Sequence, residues 1–429
     1  MAPWNFDDGS AAYVHVRWQP LGWLGAWVVA ALLVTGCASG PHVAKFEEGV
    51  AFEKAGKPDE ALRAYYAALE TAPGLVEARQ NVGTIYYEQK KYDKAEREFR
   101  LILSQDGERV AARENLAVAL EAKGGQEEEA LQHWQTALAK EERPEWKNYG
   151  RASVTRLEKK IQAEALAPPS DVDRIPAFAA KARPNDVAVV IGIERYQKLP
   201  LARHAKADAE TVAKYLRALG YPARNVEVLF NDQATLTGIK VALESWLPSR
   251  VQSDSRVLVY YAGHGSPDPV TGEAYLVPHD GDPALLKDTA YPLKTLYAKL
   301  ADLKAGQVVV TLDSCFSGQG GRSVIMEGRP AIAKIDDPVL ASPRLAVLSA
   351  AQGTQISTSS REKRHGVFTY HFLKALQDGK TQLGDIYDYL GPRVEDEAKL
   401  QNVQQSPVLR PSASDVRRFT VWDKETGSP

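Results

Sequence analysis

The chain has 429 residues, of which 44% are apolar and 25% charged, and its formal net charge at pH 7 is −2. This length exceeds one ordinary hydrophobic core and indicates two or three domains. The near-neutral charge argues against a nucleic-acid partner and against a strongly acidic or basic one. The two cysteines, Cys37 and Cys315, are too few for a disulfide framework, so each needs its own explanation.

The first segment is a candidate export signal. An uncharged apolar run over residues 18–36 follows an arginine and precedes Cys37 and small residues. This order is typical of a secretory signal, here residues 1–36. The ending Val34-Thr35-Gly36-Cys37 resembles the lipobox of bacterial lipoproteins, which implies cleavage before Cys37 and acylation of its thiol. By the same resemblance, Ala38 implies a lipid anchor in the outer membrane. The anchored chain is expected to face the periplasm, although the sequence is also compatible with the outer surface. The alternative is an uncleaved membrane-spanning helix, because the run is near the minimum spanning length.

Residues 41–165 have apolar residues at helical spacing and a repeated pattern. The members of each matching pair are 34 residues apart: Gly49 and Gly83, Phe52 and Tyr86, Ala61 and Ala95, Tyr65 and Phe99. A third copy carries one extra residue in its Lys123-Gly124-Gly125 turn, and residues 146–165 are predicted to form a capping helix. The pattern resembles the tetratricopeptide repeat, a 34-residue helix–turn–helix, and predicts an all-α solenoid. Such a stack usually binds a protein partner on its concave face; the alternative is a spacer.

Residues 166–186 contain four prolines, which block helix continuation and predict a linker. From residue 187 to residue 415, apolar β-branched runs alternate with amphipathic helical patterns. This alternation predicts an α/β domain with a mostly parallel sheet and helices on both faces. The predicted strands cover residues 187–193, 226–230, 257–262, 308–313 and 345–350. The predicted helices cover residues 206–219, 235–247, 293–304, 366–377 and 383–399.

Two of the predicted strands end in residues that can do chemistry. The strand over 257–262 leads into Gly263-His264-Gly265, and the strand over 308–313 leads into Ser314-Cys315. Active sites of parallel sheets form at the carboxyl ends of strands. A thiol attacks a carbonyl as a thiolate, and a histidine at a neighbouring strand end can act as its base. The backbone N–H groups of Gly265 and Cys315 are predicted to face the developing oxyanion.

The two motifs, Tyr261-Ala262-Gly263-His264-Gly265 and Asp313-Ser314-Cys315-Phe316-Ser317-Gly318, resemble the caspase/metacaspase peptidases. The resemblance extends over roughly residues 186–410. It implies that Cys315 is the nucleophile and His264 the general acid/base, without an evident third member. In metacaspases, acidic residues at the positions of Asp208 and Asp313 form the pocket for the residue before the cut. The resemblance therefore implies cleavage after Arg or Lys, because carboxylates favour basic side chains there.

No cofactor is expected to be required. Many metacaspases need calcium, but the acidic residues outside the motifs are scattered rather than clustered: Asp268, Asp280, Asp282 and Asp288. One cysteine and dispersed histidines give no zinc-ligand spacing, so no metal site is predicted. The resulting interpretation is a lipid-anchored cysteine-type endopeptidase that acts on a protein or peptide and recruits a protein partner through its repeats. The alternative is an adaptor lipoprotein whose caspase-like domain is a non-catalytic scaffold.

Overall fold

A computed structural model describes residues 40–166, 168–268, 270–316, 342–352, 355, 357–411, 416 and 418–425. The predicted signal and Cys37 lie outside these residues. Contacts divide the chain into two compact units, the first ending at Gln89 and the second beginning at Lys90. Within the described ranges, every helix is too short or too polar to cross a bilayer.

From residue 40 onward, the first unit contains three helices: α1 (Pro41–Lys54), α2 (Pro58–Thr71) and α3 (Val76–Glu88). Its core surrounds the fully buried ring of Tyr65. A Cβ atom on Gly49 would lie 2.5 Å from that ring, so the close approach of α1 to α2 requires glycine. The small residues of the repeat therefore let paired helices approach.

The second unit begins with the remaining repeat helices: α4 (Tyr92–Gln105), α5 (Val110–Lys123), α6 (Glu127–Leu138) and α7 (Pro144–Leu166). Trp134 fills the space between α5 and α7; it is fully buried, and its indole N–H donates to Glu121 at 2.6 Å. The long last helix, α7, is the predicted capping helix. The extra residue predicted in the third repeat falls in the turn between α5 and α6.

A six-stranded sheet forms the centre of the α/β domain, in the order β11-β8-β7-β3-β1-β2. Its strands are β1 (Val187–Gly192), β2 (Val226–Phe230), β3 (Arg256–Ala262), β7 (Gln307–Asp313), β8 (Leu345–Ser349) and β11 (Val408–Arg410). Only β11 is antiparallel to its neighbour. The five predicted strands are confirmed within one or two residues.

Helices cover both faces of this sheet because its strands alternate between two cores. In β1, Ala188 and Val190 belong to one core, whereas Val187, Val189 and Ile191 belong to the other. The described helices of the domain are α8 (Ala205–Ala218), α9 (Leu236–Lys240), α10 (Leu247–Arg250), α11 (Leu286–Thr289), α12 (Leu293–Ala301), α13 (Val367–Gln377) and α14 (Leu383–Leu400), with a π-helical segment, Val241–Trp246, between α9 and α10. Two small sheets lie beside them: β4 (Gly265–Pro267), β5 (Ala274–Leu276) and β6 (Tyr291–Pro292), and the hairpin β9 (Ser359–Ser360) and β10 (His365–Gly366).

The proline-rich segment before β1 packs onto the α/β domain. A short 3-10 turn, Asp171–Asp173, places Val172 fully inside the core formed by α8 and α13. The Tyr215 hydroxyl donates to the carbonyl oxygen of Val172 at 2.8 Å. Prolines prevent this segment from continuing α7, but its apolar residues still give it a fixed place on the domain.

Candidate active site

The two motifs meet at one edge of the sheet. Strands β3 and β7 are adjacent and parallel, and their last residues, Ala262 and Asp313, lie opposite each other. The Gly263 N–H donates to the carbonyl oxygen of Asp313 at 3.3 Å. A Cβ atom on Gly265 would lie 2.5 Å from the carbonyl oxygen of Cys315, so these backbones could not approach as closely with any other residue at 265. The two sequence motifs, one containing His264 and the other containing Cys315, are thus in direct contact.

The ring of His264 is buried and held on one side by a backbone carbonyl. Its Nε2 atom lies 2.8 Å from the carbonyl oxygen of Pro200. Because a carbonyl can only accept, Nε2 carries the hydrogen, and in the neutral ring Nδ1 is the basic nitrogen. The centroid of the Tyr196 ring lies 4.7 Å from that of the imidazole, and the Tyr196 hydroxyl accepts the backbone N–H of His264 at 2.7 Å. The histidine is therefore oriented by groups that sequence reasoning did not identify.

The thiol of Cys315 is fully buried beneath Ser357. The Ser357 N–H donates to Sγ, and the carbonyl oxygen of the same residue lies 3.8 Å from Sγ. The neighbouring Thr358 is fixed in turn, because Gln405 accepts its N–H at 2.9 Å and Gln401 accepts its hydroxyl at 2.7 Å. The structure thus describes a covered thiol with a backbone N–H donor directed at its sulfur.

Asp313 is fully buried and bound by two hydroxyl groups. Ser357 donates to Oδ1 and Thr369 donates to Oδ2, each at 2.6 Å. Since the Thr369 hydrogen is used in this way, the Tyr260 hydroxyl at 2.6 Å must be the donor to Thr369. Ser357 therefore links the two predicted site residues, with its N–H on Cys315 and its hydroxyl on Asp313.

Asp208 lies in the first turn of α8 and contacts the residues that precede α13. Its carboxylate accepts the Gly366 N–H at 3.0 and 3.1 Å and contacts Nδ1 of His365 at 2.8 Å. The Nε2 atom of His365 contacts Asp173 at 3.1 Å. Asp208 and Asp313 thus both bind residues at the start of α13, although each is occupied by protein donors in this structure.

A family model described as the caspase domain matches residues 185–416, more than half of the chain. The chain belongs to the caspase-domain family. This is a family of cysteine-type peptidases, and the mostly parallel sheet is the fold that the sequence predicted. A tetratricopeptide-repeat model matches residues 53–116, ahead of the caspase domain.

No curated protein matches the chain in sequence. Similar solved structures include the first tetratricopeptide-repeat domain of Spaghetti (RPAP3) bound to HSP90 peptide SRMEEVD, with 21% identity, 28% of this chain and 93% of that chain covered, and a TM-score of 0.26. The second such domain of the same protein, with the same peptide, has 24% identity, covers 24% of this chain and 94% of that chain, and gives a TM-score of 0.23.

His365 of this caspase domain is a buried cation. Burial disfavours the charged ring, but the hydrogen bonds and charges of Asp173 and Asp208 outweigh burial and raise the pKa of His365 from 6.5 to about 9. A raised histidine pKa contributes stability that is fully present below pH 6.5 and is lost as the pH rises through 9. The ring is therefore protonated at neutral pH and ties α8 to the segment before β1.

We expect His365→Gln to destabilise the protein at pH 7 by up to about 3 kcal/mol, because each pKa unit corresponds to about 1.4 kcal/mol. Urea denaturation at pH 7 and pH 10 measures this effect. The difference between wild type and variant should shrink at pH 10, where the wild-type ring is also neutral. Lysines and tyrosines titrate in both proteins and cancel in the difference. An equal difference at both pH values would contradict the charged role of His365.

Three of the four acidic residues considered for calcium have protein partners. Asp268 accepts the N–H groups of Val270 and Thr271, both at 2.8 Å, and Asp280 accepts that of Leu236 at 2.9 Å. Asp282 contacts Lys198 at 2.6 Å. Over the described part of the chain, no three histidine, cysteine or acidic side chains are grouped so that they could hold a metal ion.

Proposed function

We propose that this chain is a cysteine-type endopeptidase in which Cys315 attacks the scissile carbonyl and His264 transfers the protons. One observation carries the proposal: the buried imidazole is held through Nε2 by the Pro200 carbonyl at a strand end adjacent to Cys315. That tautomer leaves Nδ1 free of hydrogen in the neutral ring, as a general base requires. Membership of the caspase-domain family supports the same chemistry.

The proposed reaction begins with transfer of the thiol proton to His264. The thiolate then forms a C–S bond to the carbonyl carbon, and the backbone N–H groups of Gly265 and Cys315 stabilise the oxyanion. His264 protonates the leaving amine as the C–N bond breaks, which gives a thioester. In the second half, His264 removes a proton from water, which attacks the thioester and releases the acid and the thiol.

We further propose that the enzyme cleaves after Arg or Lys. Three carboxylates, those of Asp208, Asp313 and Asp173, lie around the start of α13, and the imidazolium of His365 contacts those of Asp208 and Asp173. Carboxylates in a substrate pocket favour a basic side chain, because they form charge-assisted hydrogen bonds with it. Ser357 contacts both Sγ and Oδ1 of Asp313, so a substrate that contacts these atoms competes with Ser357.

The remaining parts of the chain suggest where this activity is used. The lipobox-like sequence supports a tether at Cys37, in the outer membrane and facing the periplasm. The tetratricopeptide repeats support recruitment of a protein partner or substrate. The complete burial of Cys315 favours the competing candidate, an adaptor lipoprotein with a non-catalytic caspase domain.

One assay separates these candidates. Membrane and soluble fractions of cells that produce the full chain are incubated with otherwise identical peptide reporters ending in Arg or Asp, beside Cys315→Ala and Cys37→Ala. We expect turnover of the Arg reporter in the wild-type membrane fraction, none above background for Cys315→Ala, and loss of incorporated radiolabelled palmitate for Cys37→Ala. Equal turnover by wild type and Cys315→Ala would reject the peptidase. Preference for the Asp reporter would reject the acidic pocket, and palmitate labelling that persists in Cys37→Ala would reject lipidation at Cys37.

A further inference from the structure

The turn between α5 and α6 of the third repeat receives an arginine from the caspase domain. A Cβ atom on Gly124 would lie 2.2 Å from a guanidinium nitrogen of Arg361, and one on Gly125 would lie 3.2 Å from the same atom. Both glycines have positive φ angles, 70° and 87°, which other residues rarely adopt. The extra residue of the third repeat thus belongs to a turn against which Arg361 packs.

Glu127, at the start of α6, is the acidic residue beside this turn that contacts Arg361. Only 2% of its side chain is exposed, and its carboxylate contacts Arg203 at 2.7 Å and Lys160 at 2.6 Å, with Arg361 at 3.6 Å. These donors and the Gly125 N–H outweigh burial and lower the pKa of Glu127 to about 2. We call Gly124, Gly125 and Glu127 the repeat socket.

The repeat socket contacts two arginines, Arg203 and Arg361, and each belongs to a segment that holds part of the candidate active site. Arg203 lies in the loop whose Pro200 carbonyl orients His264. Arg361 lies in the turn between β9 and β10, and β10 begins with His365, the partner of Asp208. The repeat socket therefore contacts both the loop that orients His264 and the β9–β10 hairpin that contacts Asp208.

Charge and burial make Arg203 the stronger of the two contacts. Only 11% of its side chain is exposed, and its guanidinium also contacts Glu128 at 3.0 Å and Glu164 at 3.5 Å, both from the repeat helices. Arg361 is half-exposed, and its hairpin has a second anchor within the caspase domain, the ion pair of Lys363 with Glu397. Loss of the socket should therefore affect the His264 side more than the pocket side.

We propose that Glu127 is a positioning residue of the peptidase, acting through Arg203 on the orientation of His264 and through Arg361 on the pocket of Asp208. The third repeat is then a structural part of the active site as well as part of a partner-binding solenoid. The inference rests on the proposed function, because it assigns Glu127 an effect on that same site. It also gives the repeats a physical route by which a bound partner can change turnover.

The test compares Glu127→Gln with Glu129→Gln in the full chain. Glu129 is a matched control: it lies on the same helix, has a pKa lowered to about 2 and is paired at 2.7 Å with Arg100 of the repeats, not with a caspase loop. Turnover of the Arg reporter is measured per titrated Cys315, which removes the effect of unfolded protein. We expect kcat to fall about tenfold for Glu127→Gln, as small misplacements of a catalytic group cost such factors, and to change less than about twofold for Glu129→Gln.

Alkylation of Cys315 by iodoacetamide gives a second readout that requires no turnover. The midpoint of its pH profile should rise in Glu127→Gln, because a misoriented His264 stabilises the thiolate less well, and should stay unchanged in Glu129→Gln.

Arg361→Gln removes a half-exposed side chain and is expected to fold if Glu127→Gln does not. It should raise KM for the Arg reporter about threefold with kcat nearly constant, because a pocket contact contributes to binding.

The outcomes separate the two hypotheses. Wild-type turnover equal to that of Cys315→Ala rejects the proposed peptidase, and the alkylation profiles then decide on the socket alone. Wild-type turnover with unchanged kinetics and profiles in both Glu127→Gln and Arg361→Gln rejects the positioning role. Equal losses in Glu127→Gln and Glu129→Gln also reject it, because general damage to the repeats would then explain them.

Discussion

Replacement of His264 by alanine is expected to lower kcat for the Arg reporter by about 10³-fold, with a much smaller change in KM. General acid–base catalysis contributes factors of this size, and here one ring serves both the attack and the departure of the amine. Steady-state kinetics per titrated Cys315 measures the effect.

His279→Ala is the control for this prediction. The Nδ1 atom of His279 lies 2.6 Å from the carbonyl oxygen of Arg195, in the loop that also carries Pro200. His279 therefore braces the same loop through a ring-to-carbonyl bond, but it is not at a strand end beside Cys315. We expect its loss to reduce kcat less than about tenfold. A loss as large as that of His264→Ala would mean that the loop, rather than proton transfer, limits turnover.

The sequence was sufficient for the architecture and for the position of the two central residues. Strands such as β1 and β7 are buried on both faces, so their continuous β-branched runs identify them without any tertiary information. Because β3 and β7 are adjacent and parallel, their carboxyl ends lie together, and His264 and Cys315 follow those ends at one edge of the sheet. The repeat helices could be predicted equally well, because the 34-residue period indicates how many helices there are and where small residues let paired helices approach.

The groups that orient the site could not be predicted in the same way. Pro200 acts through a backbone carbonyl, which every residue carries, so no residue type indicates it. Ser357 and Thr369 are common polar residues far from Cys315 in sequence, and only the fold brings their hydroxyls to Asp313. The sequence showed the extra residue in the turn of the third repeat, which is part of the repeat socket. It could not show the arginines that bind there, because they are distant in sequence.

Replacement of Asp313 by asparagine is expected to lower kcat/KM for the Arg reporter by about 100-fold. If Asp313 binds the substrate cation, the amide removes one charge from a fully buried contact, and truncating such a pair typically costs 2–5 kcal/mol. A reporter ending in citrulline, which has nearly the shape of arginine but no charge, should lose less than about threefold. The ratio of the two kcat/KM values cancels any change in the amount of folded enzyme.

Thr369→Val is the matched control, because it removes a hydroxyl that donates to Asp313 at 2.6 Å but keeps the carboxylate charge. We expect the Arg-to-citrulline ratio to stay within about threefold of wild type in this variant, even if the protein is less stable. Equal losses on both reporters in Asp313→Asn would assign Asp313 a structural role as the acceptor of Ser357 and Thr369.

Asp208→Asn should change the same ratio in the same direction but by a smaller factor. The imidazolium of His365 lies 2.8 Å from the Asp208 carboxylate, so much of that charge is already compensated before a substrate arrives. A larger effect of Asp208→Asn than of Asp313→Asn would show that His365 leaves the pocket when substrate binds.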